Sequence, residues 1–415
     1  MTATVSGSQA ALKVLYPDGE LPKDINDMFN SLKKLKRETD FTGELAYVPL
    51  QNANPQGSSG DFAEAQANVF QGNYVKFALT RVNHFGVARV TGEAAEAAVK
   101  SEGALVDLWD NETRGIATTE MSCLATYLHG SGDGVLGQIA SVVTGTSVTM
   151  ATATNMNYFE LNMTVKAVST TGLSPTVRSG GTAKARISGI DRRNRTLTTT
   201  ANWDTLITDI TATDYLVRSG DQSSAGSNNQ VILGFGSYVA GGASPGTLLG
   251  LNRNTDPVRL AGQSVDYTGW AMEDAVVDAS AQAGFQGIGY PDVLVANNID
   301  VANMKKSMGA KIIYDKLGGG GTKAPYSWSS IVIEGEAGPI EIVADPFAKR
   351  NTAFLLKYDQ FALKSLKAAP HLQEFDGLPF LRLSSADAFE VRFVMYGNLK
   401  CKNPGPNIQL QNFGV

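Results

Sequence analysis

The sequence predicts an α+β protein, and three observations carry that prediction. A strand–turn–strand stretch between Phe41 and Arg89 runs straight into a long apolar stripe at helical spacing. Residues 141–222 then break into short Thr/Val/Ala-rich runs separated by turn clusters. Residues 265–385 mix an amphipathic helix with apolar strands. The 415-residue length suits two to three domains. A hydrophobic content of 43% with only 18% charged residues fits a globular chain whose surface is lightly charged. Such a surface is what a chain needs if much of it meets copies of itself.

Residues 1–40 read as an N-terminal arm. Pro17, Gly19 and Pro22 break its first half, and Asp24–Arg37 is a short helix candidate ending in Lys33, Lys34, Lys36 and Arg37. A basic helix end is ordinarily a solvated one, favoured by the helix dipole. The functional reading is an arm lying across an acidic neighbour. The next stretch supplies one: no Lys or Arg occurs from Glu38 to Val75, whereas Glu38, Asp40, Glu44, Asp61 and Glu64 are acidic. Lys33, Lys34, Lys36 and Arg37 against Glu44, Asp61 and Glu64 are therefore candidate inter-subunit contacts, with opposite charge setting the register.

Residues 41–90 form an extended hairpin, with strands at Glu44–Leu50 and Tyr74–Thr80 around the polar, Pro- and Gly-containing segment Gln51–Gly60. An isolated hairpin is marginal in water, so one this long has to lie on something. At Thr91-Gly-Glu93 the period changes to that of a helix with an acid in its first turn. Ala94, Ala98, Leu105, Trp109, Ile116, Ala117, Met121, Leu124 and Leu128 make one apolar stripe over about ten turns. Gly130 and Gly132 end it, closing a helical segment at 91–140. Short β-prone runs at Ser147–Ala151, Met163–Val168, Ala183–Ile190, Thr196–Thr200 and Asp214–Arg218 predict a small β-barrel or sandwich over 141–222. A Gly/Ser-rich return segment, 223–264, precedes the α/β region of 265–385. There Trp270–Gly284 is an amphipathic helix with Ala271, Ala275, Val276 and Ala279 on one side. Asp292–Ala296 is a buried-type strand, and Asn298 or Asp300 caps the next helix. Strands follow at Ser330–Gly335, Pro339–Pro346 and Thr352–Leu356. Ala388–Gly397 alternates for a sheet packed on one face.

Three formal motifs fail on physical grounds. Gly132-Asp-Gly-Val-Leu-Gly137 follows a helix and leads into β-rich sequence, so it lacks the strand–turn–helix setting that holds a pyrophosphate. It reads as a helix C-terminal turn. In Gly242-Ala-Ser-Pro-Gly246 the oxyanion N–H expected after the serine is missing, because Pro245 has none. Gly318-Gly-Gly-Gly-Thr-Lys323 has the wrong order for a phosphate loop. With 3 His and 2 Cys in the chain, neither a triad nor a metal set is indicated. Arg192, Arg193 and Arg195 read as a solvated hairpin tip. A net charge of −5 gives no global basic footprint for nucleic acid. No run of about 18 apolar residues is present, and the N-terminus has no signal-peptide pattern.

The order of basic arm, long hairpin and long helix resembles the major capsid proteins of tailed phages. Phe159-Glu-Leu-Asn-Met163, Ala185-Arg-Ile-Ser-Gly-Ile-Asp191 and Asp214-Tyr-Leu-Val-Arg-Ser-Gly-Asp221 look like the β-insertion many of them carry. Gly338-Pro339, an apolar strand and Asp345-Pro346 look like a phrase of the family. The resemblance covers nearly the whole chain and implies the Hong Kong-type capsid fold. On that reading 1–40 is the N-arm, 41–90 the extended loop, and 91–140 the spine helix of a peripheral domain. Residues 141–222 are the inserted β-domain, 223–264 the return segment, 265–385 the axial domain and 386–415 the C-terminal strands of the peripheral domain. The mobile Gly318 loop would sit near the capsomer axis.

The resemblance also implies a structural, non-enzymatic protein that assembles as hexamers and pentamers into an icosahedral shell. The shell would enclose double-stranded DNA without sequence-specific binding, in a virion assembled in the host bacterial cytoplasm. Partners would be the chain itself, a scaffolding protein, a portal and a decoration protein. No membrane, cofactor or metal is implied. Some relatives cross-link through a hairpin lysine, but this hairpin has none from Glu38 to Val75, so no such bond is expected. Met1 favours a separate scaffolding protein over a cleaved leader. The rival readings are an encapsulin-type protein compartment, an α/β enzyme or binding protein with a β-insertion, and a tail-tube or other virion protein.

Overall fold

Burial and strand pairing sort the chain into two sheets, a barrel and a projecting hairpin, with one long helix between them. The computed structural model describes residues 29–91, 104–141, 143–172, 175–222, 230–240, 244–308, 332–374, 381–384 and 386–415. The long helix is Ala104–Leu128, 25 residues, or about seven turns. Ala117, Met121, Leu124 and Leu128 are buried, so the stripe read from the sequence is its packed side. Thr91 does not open this helix; it ends the strand Val82–Thr91. Residues 92–103, with Ala94 and Ala98, lie outside the described residues, as do the side chains of Leu105 and Trp109.

The first sheet is built on Ala388–Cys401. Val82–Thr91 pairs with it antiparallel, from Thr91 opposite Ala388 to Val82 opposite Gly397. The sequence assigned Val82–Val90 to the hairpin, but its partner lies some 300 positions away, and local pattern does not reveal such a pairing. Phe361–Ser365 takes the other end of the long strand, and Lys36–Glu38 adds in parallel to that. Alternation in Ala388–Gly397 predicts one covered face, yet most positions of the strand are buried. Val90, Ala117, Val391 and Phe393 form the core against the long helix. Segment 231–239 grips the far end, where the Asn398 side chain accepts from the Leu233 N–H at 2.8 Å and Tyr238 donates to the Leu399 carbonyl at 2.7 Å.

The second sheet has six strands, in the order Gln263–Asp266, Ile408–Gln411, Thr352–Leu356, Val293–Asn297, Gly338–Asp345 and Val332–Gly335. Val293–Asn297 is buried at every position, as expected of a strand with a parallel neighbour. Helix Met272–Phe285 covers this sheet through Met272, Ala275, Val276, Ala279 and Ala283. Ala271, assigned to that stripe by the sequence, is the exposed N-cap instead. The next helix, Asn298–Met308, takes its cap from Asn297, whose side chain accepts from the Ile299 N–H at 3.1 Å. Asp300 is buried and bonds to the Asn351 N–H and Arg350. The last strand, Ile408–Gln411, lies in this second sheet rather than with the rest of 386–415. Ile408 and Leu410 are fully buried in its core, and that burial decides the placement.

The β-rich region forms a barrel. Its six strands run in the order Val135–Gln138, Tyr215–Arg218, Thr164–Val168, Ala185–Asp191, Thr196–Thr199 and Ser147–Thr149. An Ile139–Met150 bridge joins the first to the last, so no long edge is left open. Val148, Val165, Ala185, Ile187, Leu197, Leu216 and Trp203 fill it. Five of the strands fall where the Thr/Val/Ala runs predict them. The first strand, Val135–Gln138, was not foreseen: it begins inside the Gly132–Gly137 motif, where Gly132 (φ 73°) and Gly134 (φ 68°) make the turn out of the helix.

Asp345 is the hinge pin of this arrangement. Its carboxylate accepts from the Ser31 N–H at 3.0 Å and the Phe347 N–H at 2.8 Å, and lies 3.5 Å from His129 Nε2 at the end of the long helix. Burial alone would raise this carboxyl, but His129, Ser31 and Phe347 together hold it down at about 2. The following loop is gripped by the barrel. Asn155 donates to the Pro346 and Ala348 carbonyls at 2.8 and 3.0 Å, and Tyr158 to that of Phe347 at 2.8 Å. The Asp345-Pro346 phrase is thus where arm, helix, barrel and second sheet meet.

Candidate assembly interface

The hairpin strands are Leu45–Ala53 and Asn73–Thr80, paired antiparallel as the sequence predicts. Successive side chains alternate between its faces. On the inner face Val48 stands opposite Phe77 and Ala46 opposite Leu79, and Val48, Phe77 and Leu79 are buried. Phe77 meets Tyr238 edge-on, with centroids 6.0 Å apart. The Ala78 N–H donates to the Leu249 carbonyl at 3.0 Å, and Arg259 Nη1 to the Asn52 carbonyl at 2.9 Å. The surface this hairpin needs to lie on is, for its inner face, its own subunit.

The outer face has no such cover. Leu45, Tyr47 and Tyr74 are exposed there, with the Lys76 ammonium 4.0 Å above the Tyr47 ring. The tip is more apolar still. A helix, Phe62–Ala67, buries none of its residues, and Phe62 and Phe70 are 76% and 73% exposed, with Val69 beside them. Backbone bonds between Gln56 and Phe70, at 3.0 and 3.1 Å, fix the shape of the tip. Single exposed apolar residues are ordinary, but this many large ones on one projecting element form a patch that marks an interaction site. A second exposed series, Trp270, Val277 and Phe285, runs along helix Met272–Phe285 and the residues before it. The sequence reading named neither set, because an aromatic residue reads the same whether its face is covered or bare. The signal present was Asp61-x-x-Glu64, a helix start ahead of Phe62.

The charged candidates divide. Lys33 and Lys34 end helix Asn30–Lys34, and Lys36 and Arg37 lie on strand Lys36–Glu38. Lys34 pairs with Glu341 of its own second sheet, and Lys36 lies 3.7 Å from Glu38. From Phe29 the arm is docked rather than free: Phe29, Leu32 and Leu35 are buried, and Phe29 stacks on Phe347 at 5.1 Å. The acidic neighbour of Lys34 is thus intramolecular. Glu44, Asp61 and Glu64 are exposed. Asp61 also has a local task, since its side chain caps the tip helix by accepting from the Ala63 N–H at 2.9 Å, with Glu64 in the first turn.

Of the failed motifs, the Gly242–Gly246 turn is partly described: Arg253 donates to the Pro245 carbonyl at 2.7 Å, and Gly246 has φ 71°. The Gly318 loop lies outside the described residues. Among the described residues no group of three or more His, Cys, Asp and Glu could hold a metal ion. No helix among them is long and apolar enough to cross a membrane.

No family model and no curated protein matches the sequence. Solved structures do. The capsid asymmetric unit of cyanophage A-1(L) superposes with a TM-score of 0.54 at 10% identity, covering 96% of this chain and 95% of that one. The fold is that of a phage major capsid protein. The long helix Ala104–Leu128 and the hairpin Leu45–Thr80 lie within the segments expected to be a spine helix (91–140) and an extended loop (41–90). Looser matches are the capsid of a native GTA particle (TM-score 0.47, 9% identity, 99% and 94% covered) and an encapsulin from Synechococcus elongatus (0.42, 9%, 98% and 96%). These two add nothing to the assignment.

Proposed function

We propose that this chain is a tailed-phage major capsid protein that assembles as hexamers and pentamers into an icosahedral shell around double-stranded DNA. The observation that carries the reading is the bare outer face and tip of the hairpin, on a chain with the capsid fold. Burying one Phe- or Leu-sized side chain stabilises by about 1.5–3 kcal/mol, whereas an exposed ion pair contributes about 0–1 kcal/mol. The apolar face, with Tyr47, Phe62, Phe70 and Tyr74, therefore supplies the adhesion between copies. Glu44, Asp61 and Glu64, meeting Lys33, Lys36 and Arg37 of a neighbour, supply register.

The role is structural rather than catalytic. Shell stability is a sum of many such contacts, and the net charge of −5 suits a wall that does not grip its DNA. The site of action is the virion, after assembly in the bacterial cytoplasm. A scaffolding protein, a portal and a decoration protein are the partners this role calls for. The test is expression of the wild type beside Phe62→Ser/Phe70→Ser, with particles treated with nuclease and their contents identified. Nuclease-protected DNA in wild-type particles formed during infection supports the reading. Protected protein cargo in place of DNA would point to a compartment shell instead.

A further inference from the structure

A chain of ionisable groups crosses the junction of the first sheet, the spine helix and the barrel. His84, on Val82–Thr91, places Nδ1 2.7 Å from Glu120 Oε2, and its Nε2 lies 3.5 Å from the Tyr127 hydroxyl. Tyr127 donates to Asp221 Oδ2 at 2.7 Å. Asp221 sits three residues past Arg218, the end of the barrel strand Tyr215–Arg218. Glu120, Tyr127 and Asp221 are buried, and the His84 side chain is 14% exposed.

Each packed element contributes to the set. The strand brings His84, the helix Glu120, Cys123 and Tyr127, and the barrel exit Arg218 and Asp221. The approach is built into the backbone as well. A Cβ on Gly86 would lie 2.5 Å from a Glu120 carboxylate oxygen, so only glycine there lets Glu120 reach His84. Arg218 Nε is buried with no hydrogen-bond partner among the described residues, which leaves its charge to act through space.

We propose that this chain of groups is a pH-sensitive latch. With His84 protonated, it ties the barrel to the spine helix and the hairpin-bearing strand. Loss of that proton leaves the Glu120 and Asp221 carboxylates in one buried site with Arg218 alone to balance them, and the junction loosens. The inference does not depend on assembly and holds for the isolated subunit.

Burial, with Glu120 adding, pushes Asp221 up to about 6, against the pull of His84, Tyr127 and Arg218. Burial works against the His84 charge, but Glu120 more than restores it and raises the imidazole above its ordinary 6.5. Both groups bind their protons more tightly in the folded chain. Their stabilisation is therefore complete below the unfolded values, 3.8 for Asp221 and 6.5 for His84. For Asp221 it is lost as pH rises from 3.8 to about 6, and for His84 it is lost above 6.5. The latch is therefore tightest below pH 3.8, gives up the Asp221 share by about pH 6 and gives up the His84 share above 6.5.

The test is hydrogen–deuterium exchange of the full chain from pH 5 to 9, corrected for the intrinsic exchange rate and read over residues 120–138 and 215–222. Protection there is expected to fall by about tenfold, the equivalent of one pKa unit, across this range. Segments remote from the junction, such as 293–297, should hold constant. His84→Gln should flatten the fall above pH 6.5, and the near-isosteric Asp221→Asn should flatten it below 6. Wild-type protection that does not change with pH overturns the proposal. So does a fall of the same slope in both variants. If a variant fails to fold, the other variant and the wild-type profile still decide.

Discussion

Asp345 and Gly86 show how far single residues set the geometry. Asp345 is fully buried, bonds to the arm and to the loop after it, and lies 3.5 Å from His129 at the end of the long helix. Asp345→Asn leaves its partners half-satisfied and should destabilise the subunit by about 2–4 kcal/mol in urea denaturation. The wild type should also show an acid limb. Asp345 is held at about 2 in place of 3.8, so its stabilisation is present above 3.8 and is lost as pH falls toward 2. In Asp345→Asn that limb should be weaker. Gly86→Ala drives a methyl into Glu120 and should cost about 1–3 kcal/mol by thermal unfolding, while flattening the pH dependence at the junction above 6.5. None of this was legible in the sequence, where Asp345 was part of a phrase, His84 one of three unassigned histidines and Gly86 unremarked. Their long-range partners lie 34 to more than 300 positions away, and such pairings leave no local trace.

At the scale of elements, period decided what could be read. The hairpin strands alternate, the spine helix repeats at three and four, and the barrel strands recur at even spacing between turns. The hairpin strands appear where those signals put them, five barrel strands do too, and the helix covers Ala104–Leu128 of the predicted stripe but does not start at Thr91. The misplaced strands share one cause, a partner that is distant in sequence. Val82–Thr91 and Ile408–Gln411 are strands whose sheets are assigned by residues far along the chain. The segment from Phe29 to Glu38, read as an arm lying across an acidic neighbour, docks on its own subunit through equally distant partners. The tip helix is independent of such partners, since it buries nothing. Asp61→Ala should thus remove a cap, at a cost of about 1 kcal/mol to that helix alone. Circular dichroism and exchange at 62–67 would register it without a change in the melting of the subunit.

For the whole molecule, the apolar and the charged parts of the interface make different predictions. Phe62→Ser/Phe70→Ser should leave the subunit folded, because neither ring packs in the core, yet strongly reduce particle yield in sedimentation. Reversal of Glu44, Asp61 and Glu64 to Lys should slow or misdirect assembly and make it less sensitive to salt, with a smaller loss of final stability. A reversal variant that assembles as the wild type does would remove electrostatic register from the account. The exposed faces could be located only in part from the sequence. Polarity showed where the hairpin was, but the bareness of its outer side is a property of three-dimensional packing.

The central claim is that this subunit is made to meet copies of itself. Negative-stain electron microscopy of the purified protein, with mass photometry on the same sample, tests it most directly. The account predicts closed particles or hexameric and pentameric rings, formed by the wild type and lost in Phe62→Ser/Phe70→Ser. A monodisperse monomer at high concentration would contradict it, since the outer face of the hairpin would then have no partner.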